Sequence, residues 1–101
     1  MTVEKIRRRD GEIIPFDRTR IERAIELACD AIGMTDKSFI PAVTDEVVKD
    51  LNNIYGEIFV NRVPTVADIQ DIVARELVKA HFFDLAKSYI IYREERRKER
   101  A

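Results

Sequence analysis

The feature that most constrains this fold is Asp10-Gly11, set between two short β-prone runs at residues 3–8 and 13–16. Asp-Gly in that setting signals a hairpin, because a type I′ turn needs positive φ at both central positions. The second run ends at Asp17, a good helix N-cap. Residues 18–32 then carry Ile21, Ala24, Ile25, Ala28 and Ile32 at i, i+3, i+4 and i+7 spacing, which predicts an amphipathic helix closed by Gly33. A hairpin therefore feeds directly into a helix N-terminus. Arg7, Arg8 and Arg9 end its first strand and Arg20 opens the helix, so cations gather where a polyphosphate is readily held.

The remaining pattern predicts three more helices. Residues 37–54 carry a stripe of Phe39/Ile40, Val43, Val47, Leu51 and Ile54, with Pro41 tolerated in the first turn. Residues 58–63 read as a short third strand closed by Pro64. Thr65, with Asp68 three residues on, forms a capping box for a helix over 65–80 that buries Val66, Ile69, Val73, Leu77 and Ala80. Asp84 is the expected cap of a last helix over 85–98, which buries Leu85, Ala86, Tyr89, Ile90 and Tyr92. The order β-β-α-α-β-α-α implies an α+β fold, mostly helical, with four helices around one core and a small sheet at one end or side. At 101 residues the chain is expected to be a single domain, 1–101, with its hairpin at 3–16.

Composition narrows the chemistry. Eighteen basic and nineteen acidic side chains leave a net charge of −1, so anion binding must come from local clustering rather than bulk attraction to nucleic acid or membrane. With no signal-peptide core or membrane-length apolar run, the expected compartment is the cytoplasm. The lone cysteine, Cys29, shares a helix with core positions and reads as an inert thiol. The lone histidine, His81, reads as a surface imidazole at a helix end. No catalytic constellation, metal-ligand cluster or Gly-rich phosphate loop is present in the sequence.

The three consecutive arginines carry two readings. They form a charged strand edge that guards against aggregation, or they serve a ligand. Strand alternation sends Arg7 and Arg9 to one face and Arg8 to the other, beside Ile6. If the Ile6 face packs on the helices, Arg8 points inward and needs an anion. The strand pattern alone leaves both readings open. The run over 93–100 interleaves Arg, Lys and Glu and reads as a solvated helix end.

Three motifs in order carry a family resemblance: Arg8-Arg9-Asp10-Gly11 with the strand end Ile14-Pro15-Phe16-Asp17 and then Arg20-Ile21; Val63-Pro64-Thr65-Val66-Ala67-Asp68-Ile69-Gln70-Asp71-Ile72-Val73; and Ala86-Lys87-Ser88-Tyr89-Ile90-Ile91-Tyr92-Arg93. Together, over residues 3 to 97, they resemble the ATP-cone domain, the N-terminal allosteric nucleotide-binding module of ribonucleotide reductases. The same module occurs in the bacterial repressor of reductase genes. The resemblance implies a four-helix bundle capped by a three-stranded mixed sheet, with ATP or dATP bound between sheet and helices. ATP keeps many reductases active, while dATP drives an inactive oligomer.

Carried over by position, Ile6 lines the site and Arg8 and Arg9 meet phosphate. Ile14 and Asp17 fall where the family contacts adenine, and Arg20 takes the cation position of the first helix. Val66 and Gln70 face the nucleotide from the third helix, and Tyr92 and Arg96 form an aromatic-then-basic pair on the last. Ile14 stands where other members place an acidic side chain that can meet the base, and Gln70 where they place a histidine that can meet phosphate. The implied partners are adenine nucleotides with Mg²⁺ as phosphate counter-ion, a reductase catalytic domain or subunit, and further copies of the cone.

One cysteine cannot supply reductase chemistry, so the chain is expected to be a regulatory domain rather than an enzyme. The alternative is a helical protein- or nucleic-acid-interaction module of the repressor type. Its expected marks are a net positive charge and a zinc ribbon ahead of the cone, and this sequence begins the cone at Val3.

Overall fold

The computed structural model of the chain describes residues 2–99. Its elements run β1 (Lys5–Arg7), β2 (Ile13–Pro15), α1 (Arg18–Ala31), α2 (Ile40–Asn53), a π-helical turn (Ile54–Ile58), α3 (Val66–Lys79) and α4 (Phe83–Glu99). The helices pack in a ring, α1 on α2, α2 on α3, α3 on α4 and α4 back on α1. Ile25, Leu51, Leu77 and Leu85, one from each helix, are the largest fully buried side chains. Ile6 brings the hairpin into the same core.

The hairpin forms, but its turn differs from the expected type I′. Arg7 pairs with Ile13, and Arg8 N–H donates to Glu12 O at 2.8 Å, leaving a three-residue loop of Arg9, Asp10 and Gly11. Only Gly11 takes positive φ, +90°, while Asp10 accepts the Glu12 N–H at 2.9 Å. This is the arrangement in which a tight turn is followed by a left-handed glycine bulge. Asp10 thus serves as an Asx acceptor rather than as a second left-handed residue.

The third strand does not form, so the expected three-stranded mixed sheet is corrected to two antiparallel strands among the described residues. The chain leaves α2 through the π-helical turn, and Phe59 N–H closes back on Ile54 O at 2.7 Å. A turn follows, leaving Ile58, Phe59 and Val60 exposed. Only one rung survives: Arg7 N–H donates to Pro64 O at 2.9 Å, and Arg7 forms a parallel bridge with Thr65. β-Propensity describes a side chain that fits a half-buried pleat, and residues 58–63 have no neighbouring strand along their length.

Helix ends follow the capping chemistry closely. Asp17 accepts Thr19 N–H at 3.0 Å, and Thr65 and Asp68 complete a reciprocal capping box. At the end of α1, Gly33 (φ +71°) donates to Asp30 O and Met34 to Cys29 O, a Schellman closure. The same pair of bonds ends α3, from His81 to Val78 O and Phe82 to Leu77 O, but there the left-handed residue is His81 at φ +67°. That reversal is so short that α4 starts at Phe83 rather than Leu85. Asp84 therefore sits inside the first turn instead of capping it. α2 starts late, at Ile40, because Asp36 folds the preceding residues into an Asx turn by accepting from Ser38 N–H at 3.0 Å. Ile32, Ala80 and Ile90, expected inside, are exposed. The first two lie past their last helical turns, and Ile90 faces away from the ring.

Candidate functional site

A cavity of about 380 Å³ opens between the hairpin and the faces of α1, α3 and α4. Every site residue named from sequence lies on its wall. Ile6, Arg8, Arg9 and Ile14 come from the hairpin, Asp17 and Arg20 from the start of α1, Val66 and Gln70 from α3, and Tyr92 and Arg96 from α4. Phe16, Ile21, Ala24, Ile69 and Tyr89 complete the lining and were not named as site residues. Four of these five were legible as core positions only. Their spacing could have placed them, since Ala24 is one turn from Arg20, Ile69 adjoins Gln70, and Tyr89 lies one turn from Tyr92.

Two interhelical bonds fix the levels of the wall. Ser88 Oγ donates to Ala28 O at 2.9 Å, and Arg93 Nη1 donates to Asp71 Oδ1 at 2.6 Å. Stepping one turn at a time along α1 and α4, which run in opposite senses, sets Ala24 level with Tyr92 and Arg20 level with Arg96. α3 and α4 are likewise antiparallel, so Gln70 lies near the Tyr92 level and Val66 near that of Arg96. The bridge from Arg7 to Thr65 brings the hairpin loop to that same end. Arg8, Arg9, Arg20 and Arg96 therefore collect at one end of the cavity, with Asp17 the single carboxylate on its lining. Tyr92, Gln70 and Ala24 lie one turn deeper, and Tyr89 and Ile69 line the interior beyond.

Arg9 reaches the cavity because it lies in the three-residue loop. The expected strand alternation, which put it opposite Arg8, ends at Arg7. Arg8 is half exposed and loosely paired, its Nη1 lying 3.4 Å from Glu12 Oε2 and its Nη2 3.9 Å from Asp10 Oδ2. The side chains of Arg9 and Arg20 make no hydrogen bond or ion pair among the described residues. Asp17 is held below the usual carboxylate range by the Thr19 hydroxyl and backbone N–H, with Arg20 adding to the effect. Burial pushes the Tyr89 phenol well above its ordinary value, so it stays a neutral hydroxyl. Gln70 is partly buried, and its Oε1 is shut off from solvent with no donor in reach.

Chemically, this is a cleft with an apolar and aromatic interior and a cationic mouth. A guanidinium binds phosphate oxygens through charge-assisted, geometrically selective bonds. His81 and Cys29 lie outside the lining, and Cys29 is fully buried with its thiol pushed up by burial. Among the described residues no group of three or more His, Cys, Asp or Glu side chains is arranged to hold a metal. No helix of the described residues is long and apolar enough to cross a membrane.

Residues 4–98 match the ATP cone domain family. The chain is 37% identical over 101 residues to the ribonucleoside-diphosphate reductase subunit alpha of Chlamydia pneumoniae, covering 93% of this chain and 9% of that protein. It is 38% identical over 92 residues to the vitamin B12-dependent ribonucleoside-diphosphate reductase of Mycobacterium tuberculosis, covering 91% of this chain and 12% of the relative. The anaerobic ribonucleoside-triphosphate reductase of Salmonella typhimurium is 33% identical over 91 residues, with 90% and 12% covered. The chain thus spans about a tenth of the length of these curated relatives. The chain belongs to the ATP-cone domain family, the allosteric nucleotide-binding modules of ribonucleotide reductases.

Proposed function

We propose that residues 1–101 act as one regulatory domain that binds ATP or dATP in the cavity beneath the hairpin. By doing so the domain sets the activity and oligomeric state of a ribonucleotide reductase. The observation that carries this reading is the convergence of Arg8, Arg9, Arg20 and Arg96 on one end of a cavity whose other walls are apolar and aromatic. A triphosphate supplies an anion for that cationic end, where Arg9 and Arg20 have no ion pair among the described residues, and a purine fills the space lined by Ile6, Ile14, Val66 and Tyr92. Asp17, kept ionised, accepts from a donor on the base. Among the described residues no group of acidic side chains is arranged to hold Mg²⁺, so in this reading a metal that accompanies the triphosphate rides on its phosphate oxygens.

Regulation follows if the ligand binds two assembly states with different affinity, and the shift it produces is limited to that difference. In this reading the domain has no chemistry of its own. It works in the cytoplasm, partners a reductase catalytic domain or subunit and other cones, and has no role on nucleic acid. The deciding experiment is calorimetric titration of ATP, dATP and GTP into the protein and into an Arg8→Ala, Arg9→Ala variant. Saturable adenine-nucleotide binding, weakened at least tenfold in the variant, is expected, because each charge-assisted bond contributes about 1.5–3 kcal/mol. Equal affinity in protein and variant, or no binding at all, refutes it.

A further inference from the structure

Resting on that nucleotide reading, we infer that Asn52 is a positioning residue for the site: from outside the cavity, its carboxamide sets the angle at which the hairpin presents Arg8 and Arg9. Asn52 Oδ1 accepts the Val3 N–H at 2.8 Å, a bond between the last turn of α2 and the approach to β1. No residue of α2 or of the π-helical turn lines the cavity, so this bond reaches a ligand only through the hairpin.

A two-stranded hairpin is marginal by itself, so the helices have to hold this one in place. Val3 leans on the core and is tied to Asn52, Ile6 is sunk into the core, and Arg7 N–H donates to Pro64 O at 2.9 Å. Ile6 and Arg7 are neighbours and together form a pivot. Val3 lies four residues before Arg7, about 13 Å along an extended chain, and that lever arm sets the direction of the strand. Arg8 and Arg9 follow Arg7 directly, so a tilt at Val3 reappears at both guanidiniums. Their own contacts do little to correct it. Arg8 is half exposed with only long ion pairs to Glu12 and Asp10, and Arg9 has no ion pair among the described residues. Guanidinium–phosphate bonds are geometrically selective, so a displacement of about 1 Å is felt in affinity.

The test is calorimetric titration of ATP into the wild-type protein, Asn52→Ala and Asn52→Asp, with the alanine change repeated in Arg8→Ala and Arg20→Met backgrounds. Thermal melts verify that each variant folds. Asn52→Ala removes the acceptor and is expected to weaken ATP binding about fivefold. Asn52→Asp keeps an acceptor for the Val3 N–H and is expected to stay within about twofold of wild type. In the Arg8→Ala background, where one of the two guided cations is gone, the fivefold effect is expected to shrink to about twofold. In Arg20→Met the missing cation comes from α1, and the full fivefold effect is expected to remain. Unchanged affinity in Asn52→Ala, an equal loss in Asn52→Asp, or a fivefold effect that persists without Arg8 overturns the assignment and leaves the nucleotide site standing. A wild-type protein that binds no ATP overturns the nucleotide reading itself.

Discussion

Replacing Arg20 by methionine should move nucleotide affinity and ligand-free stability in opposite directions. Arg20 stands level with Arg96 at the cavity end that also receives Arg8 and Arg9, and its guanidinium has no hydrogen-bond or ion-pair partner among the described residues. Like charges spaced about 10 Å apart in a largely solvated cleft repel by about 0.4 kcal/mol per pair. Removing one guanidinium relieves two or three such pairs and forfeits a comparable attraction to Asp17, a net gain of about 0.5 kcal/mol. Methionine and arginine have similar helix propensities, so the exchange is close to neutral for α1 itself. Per-residue unfolding entropy of about 2.1 cal/mol/K converts that gain into a melting temperature about 2–3 °C higher for a chain of this size.

With nucleotide bound the sign reverses, because a charge-assisted bond to phosphate is lost at about 1.5–3 kcal/mol, a ten- to hundredfold weaker Kd. Differential scanning fluorimetry with and without saturating ATP reads both quantities from one sample. A variant that melts lower than wild type without ligand and binds ATP equally well would sink the reasoning, since Arg20 would then be a structural residue. Repeating the melts in high salt supplies an internal check, because screening should erase the ligand-free gain.

Three further outcomes follow from the same structure. Thr44 is fully buried and its Oγ1 has no partner, so Thr44→Val should raise stability by about 1 kcal/mol, read as a higher denaturant midpoint at unchanged slope; a loss of stability would mean the hydroxyl is satisfied. His81 holds a left-handed conformation at the Schellman closure of α3, so His81→Gly should stabilise by about 0.5–1 kcal/mol in the same assay, and a destabilised variant would contradict the assigned backbone. Asp17 and Asp36 sit below their ordinary value of 3.8, each because a neighbouring hydroxyl and then a backbone N–H donate to the ionised carboxylate. A depressed folded-state value means their contribution is complete above 3.8 and is lost as pH falls through the lower folded value; thermal stability should therefore hold from pH 5 to 8 and drop below pH 4, and Asp17→Asn should shrink that drop.

What the sequence made legible is what is decided within a few residues. Asp17, Gly33 and the Thr65–Asp68 box mark helix ends through bonds to neighbours, and each forms as read. The 3.6-residue stripes located the core for the same reason, since a helix exposes its burial pattern in its own spacing. Residues 58–63 failed because a strand needs an edge to pair with. β1 offers only the rung at Pro64 and Thr65, a fact written in the distance between hairpin and α3 rather than in either segment. Arg9 shows the same division at the site. Its place on the cavity wall depends on where β1 stops and on Gly11 alone taking positive φ, which strand alternation cannot express. Gln70 is the sharpest case. Position within the family was enough to place it on the wall, but its unbonded oxygen is a property of everything that fails to reach it, and no local pattern encodes an absence spread over three helices and a hairpin. The cationic mouth is legible because charge is a property of residues, whereas the shape of the cavity behind it arises from levels and distances between elements that meet only in the folded chain.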